Sequence, residues 1–127
     1  MITNFEEYTH ELTDFERDNI VPWVATELGH RIGKELAISN KTLTARCPHK
    51  TSGPRIRKII HALRASGSVK FLLANSVGYY RSNNPVEIEA WITSAYERAS
   101  SIREVADAIK EQLGELNDSY TQTKFRM

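Results

Sequence analysis

Apolar residues recur at three- and four-residue spacing, the spacing of an amphipathic helix, in several stretches of the chain. The first is Ile20, Val21, Val24, Leu28 and Ile32. The run Thr13–Glu16 has the form of a capping box, so we expect this helix to begin at Thr13 and to end at Gly29 or Gly33. A short separate helix is predicted over residues 1–12.

A second, basic helix is predicted from Pro54, with Ser52 or Gly53 as its cap. Its buried stripe is Ile56, Ile59, Ile60 and Leu63, and the opposite side presents Arg57, Lys58, His61, Ala62, Arg64 and Ala65. Before it, Ala37–Ser39 could add a small strand, and Asn40 is expected to cap a short helix reaching Ala45.

The residues after this basic helix predict a β-hairpin. Val69–Ala74 has the composition of a strand, Asn75–Gly78 is typical of a turn, and Tyr79–Arg81 begins a return strand. The fold class is therefore mainly α with a small β-hairpin, built as helix, short helix, turn, basic helix and hairpin over residues 13–82.

A long helix is predicted over residues 84–116, because Asn84 can cap it and Pro85 suits its first position. Apolar residues follow it at alternating spacings of four and three, which is a heptad pattern. We call this set the seam: Ile88, Ile92, Ala95, Ala99, Ile102, Ala106, Ile109, Leu113 and Leu116. The seam from Ile92 onwards is expected to form a homodimer, or else to fold back on helix Thr13–Gly33 or on the N-terminal segment. Residues 117–127 are expected to form a flexible tail.

Charge is segregated along the chain, although the net charge is only +1. Between Leu36 and Val86 there is no Asp or Glu, and we call this stretch the basic segment. Its nine bases are Lys41, Arg46, Lys50, Arg55, Arg57, Lys58, Arg64, Lys70 and Arg81. A surface without carboxylates suits contact with phosphates. The alternative is a solvated basic face with no partner.

Gly53–Arg64, followed by Gly67–Ala74 and Gly78–Tyr80, resembles the recognition helix and wing of winged helix-turn-helix DNA-binding domains. The segment is especially similar to small uncharacterised proteins of phages and mobile elements, in which such a helix leads into a wing closing on Gly-Tyr-Tyr. The resemblance implies a winged-helix domain followed by the long helix. It also implies a recognition helix in the major groove, with the wing on adjacent backbone or minor groove.

The resemblance assigns candidate DNA contacts. Base edges would be reached from Thr51, Ser52, Arg55 and Lys58. Phosphates or the groove wall would be contacted by Arg57, His61 and Arg64, and the wing would supply Lys70, Asn75, Ser76 and Arg81. Lys41 and Arg46 could clamp phosphates from the preceding helix, and Lys50 belongs to the same basic surface.

Other chemistry finds little support in the sequence. The single cysteine, Cys47, excludes an internal disulfide, and neither a zinc-ligand pattern nor a phosphate-binding glycine loop is present. We therefore expect no enzyme activity, metal or cofactor. No apolar run is long enough to span a membrane and the N-terminus is acidic, so we expect a cytoplasmic protein, in a bacterial host cell if phage-encoded.

The leading hypothesis is sequence-specific binding of double-stranded DNA by a dimer that regulates transcription or replication. A pseudo-palindromic target would follow, with half-sites about one helical turn or a multiple apart. The alternative is a protein-interaction adaptor that binds a host nucleic-acid-processing enzyme, such as a replication or transcription protein. RNA binding is a third, weaker option, because a wing strand would bury Tyr79 or Tyr80.

Overall fold

The computed structural model describes residues 11–125, with side chains described for residues 11–119. The helix predicted over residues 1–12 lies outside the described residues, except for its last two. The chain divides into two units, Met1–Ile88 and Glu89–Met127.

The first helix opens with the predicted capping box. The Thr13 amide donates to Glu16 Oε1 at 2.8 Å, and the Glu16 amide donates to Thr13 Oγ1 at 3.1 Å. A π-helical turn, Glu16–Ile20, then leads into helix α1, Val21–Gly29. Pro22 has no amide proton to donate, and the turn just before it is closed by the Val21 amide donating to the Glu16 carbonyl, five residues back. A 3₁₀ turn, Lys34–Leu36, follows α1.

Helices α2, Asn40–Arg46, and α3, Gly53–Ser66, are joined by residues 47–52. The expected cap of α2 is wrong by one residue, since Ser39 Oγ accepts from the Thr42 amide at 3.1 Å and Asn40 lies inside the helix. The predicted cap of α3 is confirmed at Ser52, whose hydroxyl accepts from the Arg55 amide. Helix α3 ends at Gly67, where φ of +76° is the left-handed conformation that glycine adopts without a steric penalty.

The hairpin consists of strands β1, Leu72–Ala74, and β2, Tyr79–Arg81, paired antiparallel with Leu73 opposite Tyr80. Strand β1 begins later than Val69, and Phe71 just before it has φ of +56°. The small strand predicted at Ala37–Ser39 is realised as a single bridge, in which Ile38 and Tyr79 exchange hydrogen bonds of 3.0 and 2.8 Å. This bridge ties the chain before α2 to the hairpin.

The core confirms the apolar stripe of α3 and three of the five apolar positions predicted for the first helix. Ile20, Val24 and Leu28 are buried from the first, and the four predicted residues of α3 are buried as well. Ile32 is 44% exposed, because α1 ends before it at Gly29. The remaining buried apolar residues come from the bridge, α2 and the hairpin: Ile38, Leu43, Val69, Leu72, Leu73 and Tyr80.

Helix α4 runs from Pro85 to Phe125, and the predicted cap is confirmed because the Val86 amide donates to Asn84 Oδ1 at 3.0 Å. It continues beyond Leu116, so the helix ends later than the predicted residue 116. The seam residues Ile102, Ile109, Leu113 and Leu116 are exposed. Within residues 11–125, no helix has the length and apolar character needed to cross a membrane.

Candidate nucleic-acid interface

The basic segment forms the Ile38 bridge, α2, α3 and the hairpin, and its cations fall into three groups. The first group is exposed, and no ion pair in the described part of the chain involves it; its members are Lys41, Arg46, Lys50, Arg57 and Lys70. Lys58 and Arg64 are half-buried. Arg55 and Arg81 bind other parts of the fold and form the third group.

Lys41 and Arg57 meet at an open groove between α2 and α3. The groove has a volume of about 550 Å³, and its other lining residues are Asn40, Thr44, Ala45 and Gly53. The groove is lined by two cations, an amide and a hydroxyl, which are groups that can bind a phosphate oxygen. The structure therefore brings together two of the predicted phosphate contacts.

The groove is held in shape by Asn40, whose functional importance the sequence reasoning missed. Its Nδ2 donates to the Gly53 carbonyl at 3.0 Å, and its Oδ1 accepts from Thr44 Oγ1 at 3.1 Å. A Cβ atom at Gly53 would lie 3.3 Å from Asn40 Oδ1, so the glycine permits this close approach of the helices. Asn40 and Thr44 are four residues apart on one face of α2, and this spacing was the available signal.

The outer face of α3 has the predicted character. Arg57, His61, Ala62 and Ala65 are exposed, so the imidazole of His61 is not part of the core. Arg57, His61 and Arg64 follow each other at helical spacing and share one stripe. The alanines leave the neighbouring surface low, as a helix entering a major groove about 12 Å wide requires.

The guanidinium of Arg55, a predicted base-edge contact, is bound to Glu16 within the fold. Arg55 Nε donates to Glu16 Oε2 at 2.8 Å, and Nη2 donates to Glu16 Oε1 at 2.5 Å. The two side chains are only 14% and 10% exposed. The hydrogen bond from Arg55 lowers the pKa of Glu16, outweighing the opposing effect of burial, and the Thr13 amide lowers it further. The carboxylate that caps the first helix thus also fixes the start of α3.

The two predicted base-edge contacts before α3, Ser52 and Thr51, differ in their hydrogen bonding. Ser52 Oγ accepts from the Arg55 amide at 3.4 Å as the helix cap. Thr51 Oγ1 is buried and has no hydrogen-bond partner among the described residues. Lys58, the fourth predicted base-edge contact, is half-buried on α3.

In the hairpin, the guanidinium of Arg81, a predicted wing contact, binds backbone carbonyls of the fold. Its Nη1 donates to the Gly29 carbonyl at 2.5 Å and its Nε to the Lys70 carbonyl at 2.9 Å, which joins β2 to the end of α1. Asn75 Oδ1 accepts from the Val77 and Gly78 amides and so closes the turn. Lys70 and Ser76 are exposed, as a wing contact requires.

Buried Tyr80 connects the hairpin to the beginning of α4. Burial raises the pKa of its phenol, and a hydrogen bond to the Glu87 carboxylate raises it further. The hydroxyl therefore stays protonated and can donate to Glu87 at neutral pH. Neither residue contributes to the basic surface.

The segment between α2 and α3 contacts the first helix through an aromatic pair. Phe15 and His49 lie edge to face, with ring centroids 5.2 Å apart. Cys47 is half-buried against the core as a free thiol. Across residues 11–125, no group of three or more His, Cys, Asp and Glu side chains is placed to hold a metal ion.

The chain is thus a mainly helical protein with a small two-stranded antiparallel sheet and a long C-terminal helix. A groove lined by two cations lies between α2 and α3. Comparison with protein-family models, curated proteins and solved structures gives no match.

Proposed function

We propose that this protein binds double-stranded DNA through the outer face of α3 and the groove between α2 and α3. Arg57 and His61 would face the major groove, with Ala62 and Ala65 permitting close approach, while Lys41 would contact a phosphate. Lys70 and Ser76 at the hairpin would contact adjacent backbone or the minor groove. The element order and the Ile38 bridge to the hairpin are those expected of a winged helix-turn-helix domain, which supports a regulatory role in transcription or replication.

The observation that carries the proposal is the set of five exposed cations in a stretch without acids. Lys41, Arg46, Lys50, Arg57 and Lys70 keep their charge facing solvent, whereas the arginines with structural roles are bound internally. An exposed cation contributes little to folding stability, while each phosphate contact releases condensed counterions. The arrangement is therefore better explained by a polyanionic partner than by folding.

Salt dependence of binding to a random-sequence duplex tests the electrostatic part of the proposal. With phosphate contacts from the four exposed cations other than Arg57, the logarithm of the binding constant should fall against the logarithm of salt concentration with a slope of about −3 to −4. Lys41→Ala and Lys70→Ala should each make this slope shallower by about 1. Lys34→Ala is the matched control, because Lys34 is also exposed but precedes the basic segment. Absence of duplex binding at low salt, or an equal effect of all three variants, would refute the proposal.

Selection of bound sites from random duplexes tests sequence preference. Arg57→Ala or His61→Ala should relax the selected sequence, because these side chains occupy the exposed face of α3. Lys70→Ala should weaken binding to all sequences about equally. If Arg57→Ala and His61→Ala leave the selected sequence unchanged, α3 does not read bases and the interface is limited to phosphates.

A further inference from the structure

Helix α4 carries an apolar face that no described residue covers. Its large seam residues are well exposed: Ile102 by 69%, Ile109 by 57%, Leu113 by 54% and Leu116 by 65%. On the opposite side, an acidic residue recurs at every seventh position: Glu97, Glu104, Glu111 and Asp118. In a heptad repeat this is the position farthest from the seam, which faces solvent when the seam is buried. The pattern indicates that the seam packs against another helix.

Two parallel copies in register would fit poorly at this seam. Ala95, Ala99 and Ala106 would each face their own copies, while Ile102 and Ile109 would do the same with larger side chains. One distance between helix axes cannot suit both, since that distance depends on the side chains in contact.

The flanking charges also oppose a parallel pair. With Ile92 at heptad position a, Arg98 takes position g and Arg103 position e of the following heptad. A parallel pair would bring these two arginines together twice, once on each side of the seam, and like charges there select against the pairing.

An antiparallel pair removes the mismatch in side-chain size. In one register, Ala95 faces the partner's Leu113, Ala99 faces the partner's Ile109, and Ile102 faces the partner's Ala106. Each alanine then meets a large side chain, and alternation of large and small residues across facing positions lets the layers interdigitate at one spacing. Ile92 faces the partner's Leu116 and completes the set.

The charges fit this register better as well. Tyr96 lies beside the partner's Lys110, where the ammonium group can contact the ring face. Arg98 lies beside the partner's Gln112, and the repulsion is reduced to Arg103 meeting its own copy near the twofold axis. We infer that two copies of this chain associate through the seam of α4, antiparallel and in this register.

The oligomeric state of the full chain tests the seam. Light scattering after size exclusion should give twice the chain mass of 14.5 kDa. Ile102→Asp should return the mass to that of one chain, while Ser101→Asp, which adds the same charge one residue earlier and off the seam, should leave the dimer intact. A monomeric parent chain, or a dimer that survives Ile102→Asp, would overturn the inference.

Disulfide formation tests the direction, in chains whose native cysteine is removed by Cys47→Ala. Ile92→Cys and Leu116→Cys proteins should not cross-link when each is alone, but a mixture of the two should. Efficient cross-linking of each protein with itself would show parallel helices and overturn the antiparallel register. Circular dichroism of each variant confirms that it is folded. Neither experiment contains DNA, so its outcome is independent of the proposed function.

Discussion

At the scale of single residues, the partner of each arginine decides its role. Arg55 and Arg57 are two positions apart on α3, yet Arg55 is bound to Glu16 and Arg57 is exposed at the groove. Burying Arg55 requires a paired carboxylate, because an unpaired buried charge is strongly unfavourable. Arg57 needs no such partner, since water solvates it.

The Glu16–Arg55 pair should be a major contributor to stability. Arg55→Met leaves the Glu16 carboxylate unpaired, and we expect the free energy of unfolding to fall by roughly 2–4 kcal/mol at neutral pH. Arg57→Met removes an exposed cation from the same helix and should change it by less than about 0.5 kcal/mol. Urea denaturation of both variants measures the difference.

The effect of the pair should depend on pH in a defined direction. Folding lowers the pKa of Glu16 below its usual value of 4.5, so the pair's contribution is complete above that pH and is lost as the pH falls through the lowered pKa. The gap between the parent chain and Arg55→Met should therefore shrink in acid. A gap that is unchanged well below pH 4.5 would contradict this assignment.

Residue roles were only partly predictable from the sequence. The capping box of Thr13 and Glu16 was predictable because its two members are three residues apart. The second partner of Glu16 was not, because Arg55 is 39 positions away and local spacing carries no information about which helix ends meet. Arg81 is a similar case, since its acceptor at Gly29 depends on the tertiary fold.

At the scale of elements, local signals located α3 and the hairpin well. Ser52 and Gly67 mark the two ends of α3, and the four buried positions between them follow the expected stripe. The bounds of shorter pieces differ from the prediction, as at β1, which begins at Leu72 because Phe71 adopts a positive φ. A positive φ is unusual for a residue other than glycine, and the composition of this stretch does not reveal it. The composition therefore predicted a strand that starts earlier.

Gly78 is the point where the hairpin and the Ile38 bridge come closest. A Cβ atom at this position would lie 2.2 Å from the Ile38 carbonyl oxygen, which belongs to the backbone and cannot rotate away. Gly78→Ala should therefore reduce the free energy of unfolding by about 2–3 kcal/mol. Gly29→Ala is the control, because nothing lies within 4 Å of its Cβ position, and it should be close to neutral.

Hydrogen exchange shows whether the destabilisation caused by Gly78→Ala is confined to the Ile38 bridge. In Gly78→Ala, the amides of Ile38 and Tyr79 should lose protection first, since they form the bridge. Protection of the α3 amides should change less. Thermal melts that place Gly29→Ala and Gly78→Ala at the same midpoint would contradict the predicted steric clash.

At the scale of the whole molecule, the basic segment and the acids of α4 correspond to the two proposed interfaces. The acid-free stretch supplies the exposed cations of the candidate interface, and the acids of α4 recur opposite its seam. The sequence analysis identified the acid-free stretch and the seam, because composition and heptad spacing are visible without a fold. It left open whether the seam packs within its own chain or pairs between chains, which the oligomeric state of the Ile102→Asp variant decides.

If both proposals hold, dimerisation should increase binding to duplexes that carry two sites. The parent chain should bind a duplex with two copies of the selected site about 10²-fold or more tightly than a duplex with one, at the site spacing that suits the dimer. Ile102→Asp should lose this advantage while keeping its affinity for one site, because the seam lies outside the basic segment. Ser101→Asp should retain the advantage. Titrations over a series of spacings measure these ratios, and an Ile102→Asp protein that is equally weakened on single sites would instead show that the seam supports the DNA-binding fold itself.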